Sequence, residues 1–243
     1  HWKSREWISG FTGSAGTVVV TTTKAGLWTD SRYFLQAALQ LEGTEIELYK
    51  EMLPETPSIS TFLSMQLAPG DTVGIDGKMF STEAVEDMRV KLQKHRIRLK
   101  SISDPLEQLW TDRPPMPEGP AFIHETKYAG KSSTEKISII REELKKCNAK
   151  ALFLSALDEI AWTLNLRGSD VHCNPVVVSY LLIEEQHTHF FIQPQKITPV
   201  VANYLKEIGA SLHPYEEVET YLNRINVDSL LINPAKTNYA MYS

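Results

Sequence analysis

The segment Thr111-Asp-Arg-Pro-Pro-Met-Pro-Glu-Gly-Pro120 puts four prolines into ten residues, and it constrains the fold more than any other stretch of this 243-residue chain. Each proline fixes φ and removes a backbone donor, so neither a helix nor the interior of a sheet runs through the segment. It reads as a stiff, extended linker. A chain of this length is long for one domain and comfortable for two. The expected division is a first domain over 1–112 and a second over 113–243.

Both sides of the linker alternate strands with helices. Upstream, Gly10, Gly13 and Gly16 precede the strand-forming run Thr17-Val-Val-Val-Thr-Thr22. Lys24-Ala25-Gly26 signals a turn, and Leu27-Trp28-Thr29 returns as the second arm of a hairpin. The next helix starts where Asp30 or Ser31 caps free amides, and Phe34, Ala37, Ala38 and Leu41 form its apolar stripe. A strand at 45–49, a helix at 58–66, a strand at 72–75, a helix at 82–94 and a strand at 97–100 follow. Asp104-Pro105 then opens a short helix reaching Trp110. Downstream, Ser132-Ser-Thr-Glu135 is a capping box before a helix with Ile137, Ile140, Leu144 and Cys147 on one face. After it come a strand at 151–154, a helix at 157–166 and a hairpin of 175–183 with 188–192. A helix at 197–208, a strand at 211–213, a helix at 216–225 and a strand at 229–232 complete the series. The fold class is therefore α/β: two similar domains, each a mixed β-sheet flanked by helices.

Arg32 falls in the first turn of its helix, beside a strand end. The helix dipole is positive there, so a cation needs an anion or a carboxylate to meet, and Asp30 and Glu42 are near candidates.

Two long blocks carry a family resemblance. Ile8-Ser-Gly-Phe-Thr-Gly-Ser-Ala-Gly16 with Trp28-Thr-Asp-Ser-Arg-Tyr-Phe-Leu-Gln36 resembles the first domain of the three-domain Xaa-Pro aminopeptidases. Ala156-Leu-Asp-Glu-Ile-Ala-Trp-Thr-Leu-Asn-Leu-Arg-Gly-Ser-Asp170 with Asn174-Pro-Val-Val-Val-Ser-Tyr180 resembles their second domain. The resemblance implies creatinase N-terminal-like, ribonuclease H-like domains, with a further strand and helix expected upstream of His1. It also implies a C-terminal pita-bread domain whose two Asp, one His and two Glu hold two metal ions, normally manganese, and no segment of this chain matches that domain. The chain is thus expected to be a non-catalytic, cytoplasmic N-terminal part with no cofactor of its own. Its job would be to roof the active site, help select short peptides with proline second, and support a homodimer. Arg32 matches the family's peptide-contacting arginine. Arg167, Asn174 and Tyr180 are expected on a loop facing the active site or another domain. The alternative is a pseudoenzyme, or a free-standing peptide-binding or dimerisation module, on the same fold.

Composition narrows the classes further. A hydrophobic fraction of 42% with 23% charged residues is that of an ordinary globular protein. The net charge of −5, with both signs interspersed, argues against nucleic acid and anionic membrane partners. No apolar run reaches the roughly 20 residues of a membrane span. Two distant cysteines, Cys147 and Cys173, suit a reducing compartment rather than a disulfide framework.

Other motifs take bland readings. The glycines precede a strand instead of opening a helix, unlike phosphate loops, so they read as a structural turn. His187 and His189 alternate along a strand but lack a third ligand, and His172-Cys173 stands alone. Asp158-Glu159 complements a helix N-terminus. Arg167 suits a helix C-terminus with Gly168 as its left-handed cap, an account that leaves Asn174 and Tyr180 unexplained.

Overall fold

A computed structural model describes residues 2–243. The chain forms two compact units: residues up to Asp76 with Ala84–Pro115, and Gly77–Glu83 with Met116–Ser243. No helix or strand lies between Ile102 and Phe122, the stretch that contains the proline cluster.

The first unit begins with helix α1 (Ser4–Ser9), closed by Gly10 in a left-handed conformation at φ 69°. Strands β1 (Thr17–Val20) and β2 (Ala25–Thr29) form an antiparallel hairpin, and a 3-10 turn (Ser31–Tyr33) leads into α2 (Phe34–Gln40). Strand β3 (Ile46–Lys50) returns parallel to β2. Helix α3 (Ile59–Gln66) follows, capped by the Ser58 side chain. Then β4 (Thr72–Asp76), α4 (Thr82–Gln93) and β5 (Arg98–Ile102) form a parallel pair with its crossover. Successive β2 residues face opposite sides of the sheet. Leu27 packs with Phe11, Ala37 and Leu41, while Trp28 packs with Phe62, Leu63, Leu92 and Ile97. Trp28 lies 4.0 Å from the Tyr49 ring, nearly parallel to it. Burial, with Glu47 second, pushes the Tyr49 hydroxyl up to about 12.

In the second unit, β6 (Phe122–Ile123) and the short α5 (Thr126–Ala129) precede α6 (Ser133–Lys146), which starts at the predicted capping box. Next come β7 (Ala151–Leu154), α7 (Leu157–Leu164) and β8 (Leu166–Arg167), the last antiparallel to β6. The hairpin β9 (Ser179–Glu184) and β10 (Thr188–Ile192) runs through a 3-10 turn (Pro194–Lys196) into α8 (Pro199–Glu207), and β11 (Ala210–His213) lies parallel to β10. A further 3-10 turn, α9 (Val218–Leu222), β12 (Leu230–Leu231) and α10 (Tyr239–Tyr242) end the chain. The sheet order is β11-β10-β9-β7-β12. Leu181, Ile183 and Phe190 face Ile137, Ile160 and Leu205 on one side, and Tyr180, Leu182 and Phe191 face Val218 on the other. Both faces are covered, so β9 is almost continuously buried rather than alternating.

Each unit thus contains one repeated assembly: antiparallel hairpin, 3-10 turn, helix, then a strand parallel to the second arm. The second unit also takes in Gly77–Glu83. Thr82 N donates to Thr237 O at 2.8 Å, Glu83 N to Pro234 O at 3.0 Å, and Tyr239 N to Phe80 O at 2.9 Å.

Several expectations change. The hairpin turn lies at 21–24, where Thr21 Oγ1 accepts from Lys24 N at 3.0 Å, so Ala25 and Gly26 already belong to the strand. Residues 104–110 make successive turns instead of a helix, although Asp104 Oδ1 accepts from Leu106 N at 2.9 Å as a cap would. The 157–166 helix stops at Leu164, because Asn165 adopts the left-handed conformation at φ 48° and 166–167 becomes β8. Gly168 is therefore not a helix cap, and its φ is not positive. It is instead a close-approach glycine: a Cβ there would meet Val177 Cγ1 at 2.3 Å.

Leu181 is fully buried, whereas Leu35 is 84% exposed. Leu181→Ala should lower unfolding free energy in urea by about 2–5 kcal/mol, and Leu35→Ala by less than about 0.5 kcal/mol. Comparable losses would mean that the central strand is not the core of its unit.

Candidate functional site

The two blocks of the first unit that carried the resemblance meet around one turn. The loop after α1 folds back on itself because the Arg5 guanidinium donates to Gly16 O at 2.9 Å and to Gly13 O. Burial holds that guanidinium below its usual range. Gly16 must be glycine: its φ is 155°, and a Cβ would lie 2.9 Å from Trp28 O. Side chains then tie the loop to β2 and α2. Thr29 Oγ1 donates to Ala15 O at 2.7 Å, Ser14 and Tyr33 hydroxyls lie 2.6 Å apart, and Gln36 and Gln40 each reach Thr12 Oγ1 at 2.9 Å. The hydrogen bond from Ser14 lowers the Tyr33 hydroxyl.

Arg32 sits on this platform, inside the 3-10 turn. Asp30 Oδ1 accepts from its backbone N at 3.1 Å and from Nε at 2.9 Å, and Asp30 Oδ2 accepts from Nη2 at 2.7 Å. The carboxylate anticipated from the dipole argument is therefore Asp30. Each partner stabilises the other's charged form: Arg32 lowers the Asp30 carboxyl and Asp30 raises the guanidinium. The guanidinium carbon lies 5.2 Å from the Tyr33 ring centre, and the side chain is 66% exposed. Asp30 and the ring fix its direction without covering it, and Nη1 has no partner among the described residues. A guanidinium oriented this way presents two-pronged donors to a carbonyl or carboxylate.

The corresponding 3-10 turn of the second unit treats its cation differently. Lys196 is fully buried and paired with the fully buried Asp170. Asp170 Oδ2 also accepts from Val178 N at 2.6 Å, while Lys196 O accepts from Ala121 N at 2.9 Å. This pair pins the loop between β8 and β9 to the turn after β10. Asp170 Oδ1 is buried without a hydrogen-bond partner among the described residues, so the pair specifies geometry more than it adds stability.

The structure does not bring Arg167, Asn174 and Tyr180 together on one loop. Arg167 lies in β8, where Nη1 donates to Ala161 O at 2.6 Å and Leu166 O at 2.9 Å. Nearby Lys136 Nζ donates to Trp162 O at 2.8 Å and Asn165 Oδ1 at 2.6 Å. These two cations sit at the carbonyl end of α7, where the dipole is negative. Burial first, and Arg167 second, lower the Lys136 ammonium. Asn174 is exposed in a tight turn, its N donating to Val171 O at 3.1 Å. Tyr180 is a core residue 5.5 Å from Phe153 and 5.2 Å from Tyr215, and its hydroxyl accepts from Asn238 Nδ2 at 2.9 Å. His172 and Cys173 are exposed, and Asp158 and Glu159 occupy the first turn of α7. Among the described residues, no three His, Cys, Asp or Glu side chains converge to hold a metal. No helix among them is long and apolar enough to cross a membrane.

Family models for the creatinase/prolidase N-terminal domain match residues 2–109 and again 112–243. The chain belongs to this family. It carries two such domains in tandem, as the repeated hairpin assembly suggests. Aminopeptidase P2 of Arabidopsis thaliana is 40% identical over 98% of this chain and 34% of its own length. Xaa-Pro aminopeptidase 1 of Dictyostelium discoideum is 37% identical over 99% of this chain and 40% of its own. A crystal structure of X-prolyl aminopeptidase from Caenorhabditis elegans, a cytosolic enzyme with a di-nuclear active site, superposes with a TM-score of 0.91. Its identity is 32%, over 97% of this chain and 40% of that one. The creatinase-type pair thus spans between a third and two fifths of these relatives.

Asp170 and Lys196 drew no individual reading from the sequence. Asp170 stood inside a recognised block, but its partner lies 26 positions away. Asp170→Ala leaves Lys196 buried and unpaired, and should cost about 3–5 kcal/mol in urea unfolding. Asp30→Ala removes an exposed pair and should shift the midpoint far less. Equal shifts would contradict the contrast between the two turns.

Proposed function

We propose that this chain is the N-terminal, non-catalytic part of an Xaa-Pro aminopeptidase, and that Arg32 contacts the peptide substrate beyond the bond that is cleaved. The observation that carries the reading is the exposed guanidinium held in one direction by Asp30 and Tyr33, within the blocks that carry the family resemblance. A bond preceding proline is a tertiary amide without an N–H, so an enzyme that cuts it cannot grip that residue through a backbone donor. Contacts further along the peptide become correspondingly useful. An oriented arginine supplies charge-assisted hydrogen bonds to a backbone carbonyl or terminal carboxylate there.

In the same reading, residues 1–112 and 113–243 act as two domains that roof the active site of the longer protein and limit entry to short peptides. The di-metal centre, with manganese as the expected metal, would lie in a separate C-terminal domain. A homodimer in the cytoplasm is the expected setting. This chain alone should release no amino acid from Arg-Pro-Pro in manganese.

The test uses the longer protein. Arg32→Ala should lower kcat/KM on a tripeptide by about 10- to 100-fold, the loss of one charge-assisted hydrogen bond. Hydrolysis of an Xaa-Pro dipeptide, too short to reach Arg32, and the melting temperature should stay nearly unchanged. An equal loss on both substrates, or a large fall in melting temperature, would overturn the assignment.

A further inference from the structure

The second unit also holds a cluster of titratable side chains around His189, on the opposite side of the sheet from α6. Nδ1 of His189 on β10 lies 3.0 Å from Nε2 of His213 on the edge strand β11. Nε2 of His189 lies 2.9 Å from Glu184 Oε2 and 3.0 Å from the Tyr221 hydroxyl on α9. His189 is 9% exposed, and the His213 ring stacks on Phe191 at 4.9 Å. A cavity of about 410 Å³ opens alongside, lined by Glu184, Tyr221 and Arg224 among others.

A nitrogen pair at 3.0 Å is a hydrogen bond with room for one proton. The Glu184 carboxylate accepts from Nε2 of His189, which sets the tautomer and leaves a lone pair on Nδ1. His213 then donates its Nε2–H into that lone pair. One added proton is accommodated: either ring becomes the imidazolium, donates across the contact, and is offset by Glu184. A second added proton leaves two N–H groups facing each other, and the contact must break.

We propose that Glu184, His189, His213 and Tyr221 form a proton-gated clasp that fastens edge strand β11 and helix α9 to the sheet and loosens them in acid. Other charged groups face it from the neighbouring elements. His187, in the β9–β10 turn, has its ring centre 6.1 Å from that of His189. Glu217, just before α9, favours protonated His213. Arg224 follows α9 on the cavity, while Arg141 of α6, from the other face of the sheet, donates through Nε to the Glu184 backbone O at 2.9 Å. Burial first, and His189 second, outweigh Glu217 and hold His213 below the ordinary imidazole range. A group held neutral by folding binds its proton more readily once the segment opens. The clasp's contribution is therefore complete above the ordinary histidine pKa of about 6.5 and is lost as pH falls below it.

Amide hydrogen exchange on the whole chain, corrected for intrinsic rates, tests this. Between pH 7.5 and 5.5, protection of β11 and α9 amides should fall about tenfold, the limit for one proton bound only by the opened form. Protection of β7 should not follow. His213→Gln, which still donates to His189 but does not titrate, should remove the pH dependence. Unchanged protection in the native chain, or an equal fall in the variant, would overturn the clasp. Should the variant not fold, ring NMR of the native chain decides. Two well-separated protonation steps support the clasp, and two rings titrating independently near the ordinary value overturn it.

Discussion

The buried pairing of Lys196 with Asp170 is the interaction on which the second unit depends. Two buried side chains of opposite charge are each other's partner, so the turn after β10 is tied to the loop before β9. The apolar layers on both sides of the sheet pack around that fixed connection. In the first unit the same hairpin, 3-10 turn and helix recur, but the cation stays in solvent with a neighbouring aspartate as its brace. One backbone device thus buries its cation in one domain and leaves it exposed in the other.

That contrast supports the functional reading better than the arginine alone. An exposed ion pair between neighbours contributes little to stability. The Arg5 and Thr12 ties on the glycine loop, and the Ser14–Tyr33 bond, hold a platform on which the Arg32 side chain stays 66% exposed. In the second unit, by contrast, Arg167 and Lys136 both serve the carbonyl end of α7, and Tyr180 fills the core.

Much of this was legible in the sequence because it depends on local rules. The proline cluster marked the connection free of helix and strand, the Ser132 box started α6, and short apolar runs marked β7, β9 and β10. Asp30 was a near neighbour, so its pairing with Arg32 was among the options. The parts that escaped were nonlocal. Asn165, not Gly168, ends α7, because Lys136 and the Lys131 carbonyl hold the asparagine side chain from 29 and 34 positions away. Asp170–Lys196 and the bonds between Thr82 and Thr237 join residues that no spacing rule connects. Tyr180 stood both in the strand expected at 175–183 and in the block expected to form a loop, and it lies inside β9.

The central claim is that Arg32 is braced for a ligand and Lys196 for the fold. A crystal structure of the longer protein bound to a slowly cleaved proline-containing tripeptide measures this directly. The account predicts an Arg32 nitrogen within about 2.7–3.2 Å of a peptide oxygen beyond the scissile bond, with the Asp30 contact retained. A peptide seated in the active site while the Arg32 guanidinium touches only Asp30 and water would contradict it.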